Sequence, residues 1–403
     1  MNLYSGLQKV THNFCILLGG ALLKERALTG PQRVLLDITD YCNYNCMMCR
    51  EHSPLSPSKF SKGVSDLSPE KNTSFKLQKM DVDVYYQLID DLKKVGTREI
   101  NISGGGEPFT HEKIIQMVEY AKKNRFNITI TTNGSLLNEG ISEFLVDIGV
   151  NALYFSINAG SSETYMKVTG KRQSGLFEKV KANVRTLAFI KRKKKQKHPK
   201  LMLSFVISTQ NYFEIKDMIR FAIESGVNRI NFVPVVSYFE RASFLDLSSE
   251  DIKVLQKDIK KAQYFATRHG LMHNMNEFIQ WLSMKESENL RNFYPQISCY
   301  VGWFLSLILA NGSVMPCCQC MKIMGNIHER SFLEIWNSPV YRQFRKESKN
   351  FALRNKALFN CQCSKCSLVP TNLIFHKILH PLKPMHMGEK ELTARLKGKV
   401  AIQ

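Results

Sequence analysis

A parallel α/β fold is predicted for this chain by three observations. Between Arg33 and about Val236, six short β-rich apolar runs alternate with segments of helical period. The segments between the runs place their apolar residues on one face, as in Tyr85, Leu88, Ile89, Leu92 and Val95. The most unusual residue combinations fall just after the first three runs, where folds of this class carry their chemistry.

In chain order the runs are VLLDIT (34–39), REINIS (98–103), FNITITT (126–132), ALYFSI (152–157), LMLSFVIS (201–208) and RINFVPVV (229–236). Gly96 is placed to end the first helix, and helices are expected around 114–121, 141–148, 177–188 and 215–223. The Ser-, Pro- and Lys-rich stretch 53–79 is too long for an ordinary connection and reads as a lid or a mobile loop. Five regions follow: an N-terminal helical extension (1–32), a core (33–239), a helical bridge (240–298), a second cysteine-rich module (299–370) and a basic tail (371–403).

The chain has 403 residues, enough for a main domain plus a smaller one, and its 44% apolar and 23% charged content is that of a globular protein. Its net charge of +21 would attract polyanions, but a lysine-rich surface is usually just solvated, and that is the preferred reading. The densest basic run, Lys191 to Lys200, has no interleaved aromatics, so a nucleic-acid partner is not expected. The apolar run Phe14 to Leu23 is too short to span a bilayer. Residues 3–28 are expected to form an amphipathic helix docked on the protein. The alternative is peripheral contact with an anionic membrane through Lys9, Lys24 and Arg26. Eleven cysteines without a signal peptide point to a reducing cytoplasm, where clustered thiols are ligands or catalysts. Cys15, alone in an apolar run, is read as core.

Cys42, Cys46 and Cys49 follow the first run with gaps of three and two residues. Buried structural cysteines are one reading, and zinc completed by His52 is another, although zinc sites more often use paired CxxC knuckles. Soft thiolates also suit an iron–sulfur cluster, and three of them would leave one of four irons open for reaction.

Taken with GGEP at Gly105 to Pro108 and TNG at Thr132 to Gly134, the CxxxCxxC motif resembles the radical S-adenosylmethionine (radical SAM) superfamily over residues 33–236. The resemblance implies a partial (β/α)6 TIM-like barrel. It implies a [4Fe–4S] cluster on Cys42, Cys46 and Cys49, with S-adenosylmethionine chelating the fourth iron. One electron would then cleave the sulfonium to methionine and a 5′-deoxyadenosyl radical, which abstracts a substrate hydrogen. Gly104, Gly105 and Gly106 would let backbone approach a ligand, and Glu107 would place a carboxylate near the cofactor amine. By the same resemblance Ser156 and Asn158 contact the cofactor, with Ser208 a further candidate and Met48 replacing the usual aromatic beside adenine.

In the second module, Cys299 and Cys317 flank an expected hairpin with its turn at Asn311-Gly312, and Cys363-x2-Cys366 follows. This resembles SPASM/twitch extensions and implies one auxiliary [4Fe–4S] cluster on Cys299, Cys317, Cys363 and Cys366. The shortened twitch form fits the missing further cysteine run. Cys318, Cys320 and Cys361 remain as alternate ligands or as part of a second cluster, and a zinc knuckle is the competing reading.

The expected activity is a net oxidation of a small or carbohydrate-like substrate with electron transfer through the auxiliary cluster. Maturation of a ribosomally made peptide is the alternative within the family. A non-catalytic iron–sulfur or zinc scaffold is the alternative outside it. A low-potential flavodoxin or ferredoxin is the expected reductant. No catalytic acid, base or hydrogen donor is assigned, although Tyr238, Glu240, Cys318 and Cys320 lie in suitable regions.

Overall fold

The computed structural model describes residues 16, 25–56, 77–238, 240–286, 298–320, 322–349, 361 and 368–379. Most of the expected lid and N-terminal helix lie outside the described residues, as do Cys15, Cys363 and Cys366.

Six strands lie parallel and in chain order: β1 (Arg33–Leu36), β2 (Glu99–Ile102), β3 (Asn127–Thr132), β4 (Ala152–Ser156), β5 (Lys200–Ile207) and β6 (Arg229–Pro234). Right-handed crossover geometry requires a helix between such neighbours. These are α1 (Val82–Lys94), α2 (Ile114–Lys123), α3 (Glu139–Asp147), α4 (Ser162–Thr169) with α5 (Leu176–Lys193), and α6 (Ile215–Ser225). Asp81, Asn138 and Ser161 cap the N-termini of α1, α3 and α4 through their side-chain oxygens. The helix expected around 177–188 forms as α5, and α4 is an additional helix before it, separated by the Gly170 to Gly175 connection.

The two faces of this sheet differ. Val34, Leu36, Ile100, Ile102, Ile128 and Ile130 are fully buried beneath the helices. On the other face Leu35, Asn101, Thr129, Tyr154, Ser156 and Ser204 are only half-buried. A parallel sheet normally buries both faces with apolar residues. Here the mixed face lines the inside of a partial barrel.

Beyond six strands, the sheet grows at both ends. On one side β7 (Met272–His273) joins β6, between α7 (Ser249–Arg268) and α8 (Met275–Glu286) of the bridge. On the other, β8 (Leu305–Ile308) pairs in parallel with β1, Arg33 opposite Leu305, and β9 (Ser313–Met315) folds back antiparallel on β8. β10 (Gly325–Asn326) completes the order β10-β9-β8-β1-β2-β3-β4-β5-β6-β7. The expected hairpin turn forms, with Gly312 at φ +81°, where the space of a Cβ is filled by His328. Because β8 arrives, β1 is an interior strand.

The last helices are α9 (Val301–Phe304), α10 (Phe332–Trp336), α11 (Pro339–Lys349) and α12 (Val369–Leu379). The expected tail therefore opens with a docked helix: Asn372 accepts the Tyr300 N–H at 2.7 Å and Phe375 stacks on Phe304 at 4.8 Å.

Arg345 of α11 is fully buried and holds this region to the N-terminal segment. It donates to the carbonyls of Gly302, Trp336 and Glu25 and lies 4.5 Å from the Trp336 ring. Burial lowers its pKa to about 10. Arg345→Met leaves these buried acceptors unpaired, so it should lower the unfolding free energy by about 3 kcal/mol in denaturant titration. A change below about 1 kcal/mol would mean that the clasp is dispensable.

Among the described residues no helix is long and apolar enough to cross a membrane.

Candidate iron–sulfur centre

The segment after β1 is fixed from all sides before any cofactor is considered. Its entrance is bracketed by the returning chain, where Met80 N–H donates to Ile38 O at 2.8 Å and Asp40 N–H to Gln78 O at 2.8 Å. From β2, the Glu107 N–H donates to Tyr41 O at 2.8 Å, and a Cβ on Gly106 would lie 1.9 Å from that same oxygen. The β3 turn is tied to it by two bonds: Asn43 Nδ2 donates to Ser135 Oγ at 2.8 Å and Asn133 Nδ2 to Asn43 Oδ1 at 2.9 Å. From α4, the carbonyls of Thr169 and Val168 accept the N–H groups of Asn45 and Met47 at 3.2 and 2.9 Å.

Cys42, Cys46 and Cys49 are carried on this frame as partly buried thiols outside any disulfide. Burial pushes Cys42 up to about 11 and raises Cys46, which also feels the charges of Cys49 and Cys42. The three sulfurs thus share one field. The sulfurs also accept backbone N–H groups, Tyr44 to Cys42 at 3.5 Å and Glu51 and His52 to Cys49 at 3.4 and 3.3 Å. Such N–H···S contacts stabilise thiolates and tune cluster potentials. No three donors among the described residues sit close enough for a single shared metal ion. The His52 Nε2 lies 2.7 Å from Gly105 O, so His52 fastens the glycine turn and is not placed as a fourth zinc ligand. Three partly buried thiols, with amide donors on Cys42 and Cys49, suit a thiolate-bound cluster, since a bound metal would supply the charge that burial withholds.

The other expected residues are placed as follows. Glu107 is 3% exposed, and its carboxylate accepts Thr132 Oγ1 at 2.6 Å, Asn133 N–H at 2.7 Å and Phe109 N–H at 3.3 Å. Burial raises it to about 7 against these three donors. It locks the β2 turn to the β3 turn. Asp37, Thr39, Ser103, Gly105, Gly106 and Pro108 line the cleft between the ends of β1 and β2. Ser156 faces the barrel interior beside Ser204. The Asn158 Oδ1 accepts the Val206 N–H at 2.8 Å, which leaves its amide NH2 as the group available to a cofactor. Met48 packs between the main core and the Val235, Ala242 and Leu245 cluster. Ser208 is corrected: it is fully buried and its hydroxyl accepts the Gln210 N–H, because Asn211 folds the end of β5 into a tight turn.

In the second module Cys299 and Cys317 both pack against the main core. Cys320 and Cys361, left open by the sequence as alternate ligands, are brought together as a disulfide pair. They meet because the turn after β9, closed by Cys320 N–H to Cys317 O, faces the returning chain at Cys361.

Several residues escaped the sequence reading. Arg50, next to Cys49, donates to the carbonyl of Cys318, pairs with Glu51 at 2.9 Å and lies 5.5 Å over the ring of Tyr238. Gln319 in turn donates to the Tyr238 hydroxyl at 3.3 Å. Tyr44 and Tyr165 share a buried hydroxyl–hydroxyl bond of 2.9 Å, and Lys171 exerts its charge on Cys42. None has a local pattern; each is defined only by long-range contact.

Residues 36–222 match the model of the Radical SAM superfamily. The chain belongs to that superfamily. Residues 299–367 of this radical SAM protein match SPASM, an iron–sulfur cluster-binding domain, where the cysteine count had pointed to the shortened form. Its cofactors are therefore a [4Fe–4S] cluster with S-adenosylmethionine in the first domain and auxiliary iron–sulfur in the second.

Among curated proteins it is 24% identical over 354 residues to a tungsten-containing aldehyde ferredoxin oxidoreductase cofactor-modifying protein of Pyrococcus furiosus, covering 83% of this chain and 86% of that one. It is 25% identical over 324 residues to an AdoMet-dependent heme synthase of Methanosarcina barkeri, covering 78% and 85%. The subtilosin biosynthesis protein AlbA of Bacillus subtilis is 22% identical over 353 residues, covering 85% and 68%. In fold, the chain resembles Streptococcus suis SuiB bound to S-adenosylmethionine, with TM-score 0.56, 18% identity and coverage of 84% and 72%.

Proposed function

We propose that this chain holds a [4Fe–4S] cluster on Cys42, Cys46 and Cys49, cleaves S-adenosylmethionine reductively and abstracts hydrogen from a small, non-peptide substrate in the barrel, for a net oxidation. Bound there, the cluster and S-adenosylmethionine supply a one-electron cleavage of the sulfonium to methionine and a 5′-deoxyadenosyl radical. The chain's own residues provide the setting. Gly105 and Gly106 bring backbone up to the cofactor, His52 and the Glu107 N–H hold that turn against the cysteine segment, the Glu107 carboxylate ties it to the β3 turn, and Ser156, Asn158 and Met48 bound the cofactor's far side. Asn101, Tyr154 and Ser204 offer polar groups to a substrate from the half-buried inner face.

The observation that carries the oxidative reading is the Arg50 bridge. One side chain beside Cys49 reaches the backbone of Cys318, so the two cysteine groups meet at the same end of the barrel. One auxiliary cluster on Cys299, Cys317, Cys363 and Cys366 would there take up the electron that a substrate radical must lose. Relatives named for cofactor modification and heme synthesis support a small, non-peptide substrate. A second reading, peptide maturation, is supported by the bacteriocin-biosynthesis relative.

Anaerobic reconstitution with iron and sulfide, followed by assay for 5′-deoxyadenosine under dithionite, tests the proposal. The expected result is 5′-deoxyadenosine formation at an iron content of about eight per chain, for two cubane clusters. Zinc in place of iron, or a fully loaded protein that forms no 5′-deoxyadenosine, would overturn it.

A further inference from the structure

We infer that the α4–α5 connection is the docking surface for a small acidic one-electron carrier and the entrance for electrons to the Cys42, Cys46 and Cys49 segment. The inference rests on the proposed function, in which the cluster must first be reduced from outside before it can cleave S-adenosylmethionine. One electron leaves the carrier's low-potential centre, which is oxidised by one equivalent, and reduces the cluster by one.

Position is the first argument. The connection lies directly on the cysteine segment: Thr169 and Val168 carbonyls hold Asn45 and Met47, and a Cβ on Gly170 would come within 2.8 Å of Asn45 O. Electron transfer weakens steeply with distance, so a carrier must approach where the covering protein is thinnest. Asn45 of the cysteine segment and Gly170 of the connection are both exposed here.

Beneath the connection lies a buried row of aromatic rings that begins in the cysteine segment. Tyr44, between Cys42 and Cys46, bonds to Tyr165, whose ring lies 4.9 Å from Phe177, and Lys181 Nζ sits 4.5 Å over Phe177.

Charge is the third argument. Residues 162–181 carry five cations, Lys167, Lys171, Arg172, Lys179 and Lys181, against the two carboxylates Glu163 and Glu178. Lys167, Arg172 and Lys179 are exposed. Such a patch steers an acidic partner and raises its association rate. The denser run at 191–200 is the competing candidate, but it lies at the other end of α5, about 27 Å along an 18-residue helix. Contacts to Asp147 and Asn228 place it by the strand N-termini, away from the cysteines.

The test uses the full chain, before and after reconstitution, with a flavodoxin as probe. Binding is measured by calorimetry at two ionic strengths, alongside the rate of flavodoxin hydroquinone oxidation. In the patch variant Lys167→Glu, Arg172→Glu, Lys179→Glu, affinity should fall about tenfold or more and its salt dependence should flatten. The control variant Lys193→Glu, Lys195→Glu, Lys197→Glu should stay within about twofold of the wild type, since steering acts mainly through charges near the contact. Both variants should melt like the wild type, and the patch variant should form 5′-deoxyadenosine normally when dithionite replaces flavodoxin. Unchanged affinity in the patch variant, or an equal loss in the control, overturns the docking surface. Weaker binding with an unchanged oxidation rate overturns it as the electron entrance. A wild type that binds flavodoxin at the patch yet forms no 5′-deoxyadenosine with dithionite counts instead against the proposed function.

Discussion

Cys46→Ala should abolish 5′-deoxyadenosine formation and remove about four irons per chain. The side chain sits in the middle of a segment that every neighbouring element holds in place, and its field is shared with Cys42 and Cys49. Two remaining thiolates do not retain a cubane that also gives up its fourth iron to S-adenosylmethionine. Removing one buried sulfur costs little packing, because cysteine behaves as a small hydrophobe, so the melting temperature should change by only a few degrees. Iron and sulfide analysis with an assay under dithionite reads both effects. An iron content equal to the wild type would remove Cys46 from the ligand set.

The second large effect is expected at a residue without a side chain. In Gly106→Ala the new Cβ would lie 1.9 Å from Tyr41 O and 2.5 Å from Tyr41 C. Both are backbone atoms at the start of the cysteine segment, and no rotamer change relieves the clash. The β2 turn and the segment must separate, at a cost of about 2–3 kcal/mol as for overpacking. A shift near 1 Å in cofactor placement then costs about 100-fold in rate. Gly140→Ala is the control, since its nearest neighbour is 3.6 Å away inside α3, and alanine there should be neutral or stabilising by about 0.5–1 kcal/mol. Thermal melting and initial rates separate the two. A Gly106→Ala protein as active as the wild type would show that the turn and the segment move independently.

The core strands and most of their helices were legible because burial imposes a period. Apolar positions such as Val34, Leu36, Ile100 and Ile102 repeat every second residue, and Tyr85, Leu88, Ile89 and Leu92 follow the helical repeat. The three motifs after β1, β2 and β3 were legible as short-range spacing. What could not be read was the pairing between distant parts. Nothing near Leu305 announces that it lies against Arg33, and Met272–His273 is too short to signal a strand. Glu107 illustrates the same limit within the site. Its motif was visible, but the three donors that turn its carboxylate towards β3 come from the backbone and from another motif. Ser208 carries the right side chain at a strand end, yet Asn211 three residues on closes the turn over it.

The β1–β8 pairing has a consequence for biogenesis. When β1 leaves the ribosome its future neighbour is still unmade, for Leu305 follows Arg33 by roughly 270 residues. At ordinary synthesis rates one side of β1 stays open for tens of seconds, an unpaired edge of the kind that invites wrong partners. The cysteine segment hangs from that same strand throughout. A nascent chain truncated before residue 299 should associate with chaperones or itself, whereas the full chain closes its own edge and becomes ready to receive iron.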